Sequence, residues 1–292
     1  MAGIIIGDCL GNGEIRMNRK IIFLDIDGTF TEPGSNIPPA SAQEAVRRAR
    51  QAGNYVFLCT GRSYGMMASL LSYGFDGVVA SAGAYILMGG KVIYDSPLTE
   101  RQKKMAMDVL EENGIFRTVE CRDGAYTDEG LKDFLRLHST EGRNSELLRW
   151  REQVEKSMNI FPMSEYKNQP VYKLVVMCPS VEALVRAGDE LKEDFQMCIQ
   201  DDGRRGYANG EVINRKINKG TAVKYVCDYL QVPIEDSVGF GDSMNDKEML
   251  ETAGLSICME NGNEKLKKIV DDICPCVAED GLWKAFQKHH LM

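Results

Sequence analysis

Histidine and tryptophan are scarce in this sequence, at three and two residues among 292. His138 stands on a polar stretch, and His289 and His290 lie near the C-terminus; all three read as surface residues rather than ligands. Long apolar runs are missing as well. No segment approaches the length of a membrane span, so a membrane is not an expected partner. The first residues hold one short apolar block, Ile4-Ile5-Ile6, and no basic leader, which argues against a secretory signal. No basic cluster interrupts a net charge of -8, from 35 basic and 43 acidic side chains, so nucleic acid is not an expected partner either. Internal repeats and low-complexity segments are absent. Cysteine is present, but its spacing carries no chemistry. The nine cysteines are odd in number and include no C-x-x-C pair, so neither a disulfide framework nor a zinc site is supported, and Cys274-Pro275-Cys276 is left as a minor metal-binding alternative. Cys59, Cys198, Cys227 and Cys258 lie in apolar contexts and read as small core residues. A reducing cytosol is the simplest setting, and a cytoplasmic location is the expectation.

What remains is an ordinary soluble composition, with 43% hydrophobic residues and length enough for two packed domains. Apolar strands alternate with helical patterns, which predicts an α/β fold with a parallel sheet and crossover helices. Strands are expected at 21–24, 55–59 and 77–80. Ser41 and Glu44 form a capping-box pattern before an alanine-rich helix that stops near Gly53. After Ala84 the rhythm changes. A hairpin is expected around Gly89-Gly90, then a helix over 99–113, strands near 117–120 and 125–127, and a helix around 145–158. A strand over 171–177, a helix over 181–192 and a strand over 195–200 follow. Asn209-Gly210 reads as a turn between Tyr207-Ala208 and Val212-Ile213. Arg204-Arg205 reads as a solvated turn, or as a substrate contact near a hinge.

Asp25-Ile26-Asp27-Gly28-Thr29 carries the strongest chemical signal. It follows the apolar run Ile21-Ile22-Phe23-Leu24. Side chains alternate along a strand, so Asp25 and Asp27 lean the same way if the extension continues. Two carboxylates so close repel unless a proton or a cation lies between them. A hard divalent cation held by oxygen, Mg²⁺ first, answers that need. A plain Asp-Gly turn is the bland alternative.

Three later segments stand at similar junctions. Cys59-Thr60-Gly61-Arg62 follows the strand Tyr55-Val56-Phe57-Leu58 and opens a helix expected from Ser63. A hydroxyl and free N–H groups there suit a phosphate oxygen, though alone the segment also fits a helix cap. Asn218-Lys219-Gly220-Thr221 begins a helix with Ala222, Val223, Val226, Cys227 and Leu230 on one face. A lysine at a helix start opposes the macrodipole and makes better sense facing an anion; alone, it also fits a solvated surface residue. Gly241-Asp242-Ser243-Met244-Asn245-Asp246 follows a third apolar strand. It offers Asp242 at the strand end and Asp246 one turn later on the same face.

The order of these segments resembles the haloacid dehalogenase superfamily. The long interval between Thr60 and Lys219 resembles its Cof-type, type IIB subgroup. The resemblance implies a Rossmann-like catalytic core over 17–84 and 201–292, with an inserted α+β, C2-type cap over 85–200. Residues 1–16 match nothing in the family. They read as a leading extension, disordered or owed to the choice of start site, with Met17 just before the first strand.

The resemblance also implies roles. Asp25 is the nucleophile that forms an aspartyl-phosphate; Asp27 protonates the leaving oxygen and later activates water. Mg²⁺ is held by the Asp25 carboxylate, the Asp27 main-chain carbonyl, Asp242 and waters, while Asp246 orders a metal-bound water or holds Lys219. Thr60, Gly61 and Lys219 grip the phosphoryl oxygens, and Asn245 supports that side. Relatives that move phosphate to or from an alcohol carry Asp at the position of Asp27, whereas ion-pumping ATPases carry Thr. The implied function is Mg²⁺-dependent hydrolysis of a small phosphorylated metabolite such as a sugar phosphate, nucleotide or phosphorylated cofactor. The alternatives are a phosphomutase or phosphotransferase with the same intermediate, and a non-catalytic regulator that binds phosphorylated metabolites. One departure stands out: Ser81-Ala82-Gly83-Ala84 has Ala82 where relatives commonly have Asn. A monomer is sufficient for all of this, and the oligomeric state stays open.

Overall fold

The computed structural model of the protein describes residues 19–131, 133–134, 159–200 and 207–292. Residues 1–16, the helix expected around 145–158 and Arg204-Arg205 lie outside the described residues. In chain order the strands are β1 (Ile21–Leu24), β2 (Tyr55–Cys59), β3 (Gly77–Ala80), β4 (Tyr85–Met88), β5 (Lys91–Asp95), β6 (Phe116–Cys121) and β7 (Ala125–Thr127). They continue with β8 (Ile160–Pro162), β9 (Val171–Cys178), β10 (Phe195–Gln200), β11 (Ala208–Asn214), β12 (Ser237–Gly241), β13 (Leu255–Met259) and β14 (Asp272–Cys274). The helices among the described residues are α1 (Ala40–Gln51), α2 (Glu100–Glu112), α3 (Val181–Leu191), α4 (Lys219–Leu230), α5 (Lys247–Thr252) and α6 (Gly281–Lys288).

The fold is α/β and is built on two sheets. The first has eight strands in the order β14-β13-β12-β1-β2-β3-β4-β5. Its members from β14 to β3 are parallel, and β4 and β5 extend it as an antiparallel hairpin. The strands β1, β3 and β12 are buried along their whole length, which is why they read as unbroken apolar runs. On one face, Ala42, Ala45, Val46 and Ala49 of α1 pack with Leu282, Ala285 and Phe286 of α6. On the other, Ala222, Val223, Val226 and Cys227 of α4 pack with Met249 and Leu250 of α5. The chain runs outward from β1 to β2 and β3 on one side and places β12 on the other. The crevice beyond the carboxyl ends of β1 and β12 is therefore a topological switch point, where open α/β sheets hold ligands.

The second sheet has six strands in the order β10-β11-β9-β6-β7-β8, antiparallel except for the β7–β8 pair. The helices α2 and α3 cover one face through Ala106, Leu110, Ala183, Leu184, Ala187 and Leu191. The opposite face shares a cluster with Met66 of the first unit: Ala125, Val175, Met177 and Tyr207 pack with it. The turn after β6 docks on the same segment, where Gly65 N donates to Arg122 O at 2.7 Å.

Four local expectations need correction. The chain leaves the first sheet after Asp95 and rejoins it after Asn214, not at 84 and 200; the hairpin β4–β5 extends the first sheet, and β11 belongs to the second. Asn209-Gly210 is not a turn but the middle of β11, opposite Met177 and Val176. Glycine is needed there for close strand approach, since a Cβ would lie 2.8 Å from Cys198 O. The segment from Ser63 forms no α-helix but two short 3-10 turns, Tyr64–Met67 and Leu71–Tyr73. No capping box forms at Ser41, because α1 starts two residues earlier, with Pro39 at its N-cap; Ser41 Oγ donates to Asp280 and Glu44 pairs with Arg47 and Arg48.

Candidate active site

Asp25 continues the ladder of β1, its N–H donating to Phe240 O of β12 at 3.0 Å. The chain then reverses: Gly28 N donates to Thr31 O and Thr31 N to Ile26 O, with Gly28 at φ +85°. A Cβ at Gly28 would collide with the Asp242 carboxylate. The glycine of the first motif thus serves both the turn and the approach of the fourth motif.

Asp242 follows β12 directly. Its N–H and that of Ser243 both donate to Asp246 Oδ2 at 3.1 Å, which fixes Asp246 one turn on. A Cβ at Gly241 would lie 2.5 Å from Asp246 Cβ, so that close return also needs a glycine. Lys219 is the first residue of α4, capped by Asn218 and Thr221 in a reciprocal box. It is 1% exposed, donates from Nζ to Asp25 Oδ1 at 2.7 Å and pairs with Asp246. The anion that its place at a helix start calls for is the protein's own pair of carboxylates.

Oxygen atoms of Asp25, Asp242 and Asp246 all lie within 4.8 Å of one another, and all three residues are buried. Burial and then the Asp246 charge push the Asp25 carboxyl up to about 7, against the pull of Lys219. Burial, then Asp25 and Asp246, hold the Asp242 carboxyl well above the usual range. Burial alone would push Lys219 down, but Asp246 and Asp25 outweigh it and keep the ammonium charged. Three carboxylates therefore share one lysine, and Asp242 Oδ1 is buried without a hydrogen-bond partner. An oxygen-rich, electron-rich cluster with an orphaned carboxylate oxygen fits a hard divalent cation. Such an ion would supply the missing partner and relieve the mutual repulsion.

Asp27 is buried too, but its carboxylate is turned to Arg62. Arg62 Nε donates to Oδ2 at 2.9 Å and Nη2 to Oδ1 at 2.6 Å, a bidentate fork. Nη1 of the same guanidinium donates to Asn36 Oδ1 at 2.5 Å, and Gly34 N reaches Asp27 Oδ1 at 3.3 Å. The third side chain of the acidic cluster is thus Asp246, expected only as an outer partner. Arg62 is the residue that sequence reasoning passed over. It was visible as the end of Thr60-Gly61-Arg62, but nothing local says where a guanidinium points.

The remaining expected residues follow the ends of β2 and β12. Thr60 is buried and its Oγ1 accepts from Arg62 N at 3.1 Å; Gly61 is buried beside it. Asn245 is half-buried and accepts from Ser243 Oγ at 2.7 Å. Ser81, Ala82 and Gly83 form a left-handed turn with φ of 49°, 56° and 110°. It is pinned by Ser81 N to Arg62 O and Ala82 N to Thr60 O, and a Cβ at Gly83 would lie 2.5 Å from Asn218 O. Asparagine tolerates that backbone better than alanine, so Ala82 holds a strained position without a polar side chain.

Known proteins are similar to this chain in sequence and in fold. A phosphoglycolate phosphatase of Methanobrevibacter smithii is 26% identical over 277 residues, spanning 94% of this chain and 100% of the relative. The 5-amino-6-(5-phospho-D-ribitylamino)uracil phosphatase YwtE of Bacillus subtilis is 26% identical over 268 residues, spanning 85% of this chain and 90% of the relative. A solved structure of the HAD subclass IIB sugar phosphatase BT4131 has the same fold, with a TM-score of 0.75 at 21% identity over 94% of this chain and 100% of that one. The family model for haloacid dehalogenase-like hydrolases matches residues 22–286, from β1 into α6 and through all four clustered segments. The chain belongs to the haloacid dehalogenase-like hydrolase family.

Proposed function

We propose that this chain is a Mg²⁺-dependent phosphatase that hydrolyses a small phosphate monoester through an aspartyl-phosphate on Asp25. The observation that carries the reading is the meeting of Asp25, Lys219, Asp242 and Asp246 in one buried cluster at the switch point of the parallel sheet. An anionic nucleophile meets an anionic phosphate there, so positive charge at the site decides the rate. The cation, held by Asp25, Asp242 and the Asp27 main chain, would supply Lewis-acid stabilisation of the transferring group. Lys219 supplies a second positive charge and holds Asp25 in place.

Two half-reactions follow. An Asp25 carboxylate oxygen bonds to phosphorus as the ester P–O bond breaks, and the departing oxygen takes its proton from Asp27. Water then bonds to phosphorus, gives a proton to Asp27, and displaces Asp25 as inorganic phosphate leaves. The Arg62 fork keeps the Asp27 carboxylate in one orientation between the two steps. Thr60 and Gly61 border the phosphoryl position from the end of β2, and Asn245 from the segment after β12. The six-stranded sheet acts as the cap that excludes bulk water and selects the leaving group.

Purified protein should release phosphate from an aryl phosphate with Mg²⁺ and lose that activity in chelator. Asp25→Asn should fall to background while keeping its circular dichroism spectrum. Wild-type rates in chelator, or substantial activity in the variant, would remove the reading.

A further inference from the structure

Asn36 lies in the loop between β1 and α1. It is half-buried, and its Oδ1 accepts from Arg62 Nη1 at 2.5 Å. The loop is braced on both sides of it. Ser35 N donates to Glu32 O at 2.9 Å before it, and Ile37 N donates to Ser35 Oγ at 3.0 Å after it. Pro38 and Pro39 follow. Prolines fix their own φ and restrict the residue before them, so the amide is presented from a stiff segment.

Arg62 is buried and held at both ends. Its carbonyl accepts from Ser81 N at 2.8 Å, and its N–H donates to Thr60 Oγ1 at 3.1 Å. Its guanidinium meets three oxygens of one loop, the two of the Asp27 carboxylate and Asn36 Oδ1. A bidentate fork fixes a guanidinium and a carboxylate relative to each other. It does not fix the pair relative to the cleft, because both side chains can turn together about their own torsions. The third acceptor, nine residues beyond Asp27, removes that freedom. Gly34 N, 3.3 Å from Asp27 Oδ1, adds a long bond from the same loop. An amide also suits the place by its charge. It completes the guanidinium without competing for it, whereas a carboxylate there would draw Arg62 away from Asp27.

We infer that Asn36 is a positioning residue: it holds the Arg62 guanidinium, and through it keeps the Asp27 carboxylate aimed for proton transfer. The inference rests on the phosphatase reading for the role of Asp27, but the linkage itself can be read without turnover. Steady-state kinetics with an aryl phosphate and Mg²⁺ compare the wild type with Asn36→Ala, Asn36→Asp, Arg62→Lys and the double variant of Asn36→Ala with Arg62→Lys. Asn36→Ala should lower kcat about tenfold and leave KM nearly unchanged, as expected of a residue that acts on Asp27 and not on substrate binding. Asn36→Asp is close in size and still an acceptor, so it should keep the wild-type urea midpoint and yet lose kcat about tenfold. In the Arg62→Lys background, Asn36→Ala should cost no more than about twofold, because the link through which it acts is already broken. A purely structural residue would give a wild-type rate in Asn36→Asp, or losses that multiply in the double variant, and either result overturns the inference. If Asn36→Ala does not fold, Asn36→Asp alone decides. In chelator and without substrate, the Arg62 Nε proton should exchange with solvent about tenfold faster in Asn36→Ala, read by NMR, and an unchanged exchange rate overturns the inference as well. Faster exchange in the variant, beside a wild type that releases no phosphate, would sink the phosphatase reading and leave the linkage standing.

Discussion

Among the described residues, two lysines are buried between pairs of carboxylates, and the two sites differ in what surrounds them. Lys219 lies between Asp25 and Asp246 at the end of the parallel sheet, and Lys173 lies between Glu211 and Glu120 in the middle of the second sheet. Around Lys219, glycines bring separate segments into collision range: Gly28 against Asp242 and Gly241 against Asp246. A third carboxylate crowds the cluster, which then has more negative charge than its lysine can offset. Around Lys173 the side chains stand on regular strands, and Glu120 lies 3.6 Å from its Nζ. The first arrangement fits a cation from solution.

Lys173→Met breaks the comparison most severely. Removing one partner of a buried ion cluster leaves its carboxylates uncompensated and should cost about 3–5 kcal/mol of stability, read by urea unfolding. Mg²⁺ should not restore that loss. Lys219→Ala should lose about 10²-fold or more in rate from the missing preorganised charge. It should also lose stability, but here added Mg²⁺ should recover much of it, because the ion binds the folded cluster and not the unfolded chain. Equal responses of the two variants to Mg²⁺ would show that the sites are alike after all. Arg62→Lys should have the smallest effect, about tenfold in rate, because the charge stays while the bidentate grip on Asp27 is lost. A wild-type rate there would make Arg62 a structural residue only.

The same contrast explains what the sequence could and could not reveal. Lys219 announced itself by position, at the start of an apolar-faced helix where the macrodipole makes a cation unwelcome. Asp25 and Asp242 stand at the ends of unbroken apolar strands, and Asp246 follows at helical spacing, so local pattern predicts their shared direction. Lys173 offers no such cue, since one lysine within Val171-Tyr172-Lys173-Leu174 reads as a solvent-facing strand position. Its burial comes from the partners Glu120 and Glu211, over fifty residues and nearly forty residues away along the chain. Arg62 was hidden for the same reason, as its partners Asp27 and Asn36 belong to another loop. Asn209-Gly210 misled because turn chemistry and close strand packing both select glycine. The sheet to which β4–β5 belongs was equally illegible, because a hairpin reads the same whichever edge it joins.

The central claim is that Asp25 bonds to phosphorus during turnover. Borohydride reduction of an acid-quenched reaction, followed by peptide mass spectrometry, tests it directly, since an aspartyl-phosphate is reduced to homoserine. The account predicts homoserine at position 25, formed only with substrate and Mg²⁺ present. Phosphate release with no homoserine, or with homoserine at another aspartate, would contradict it.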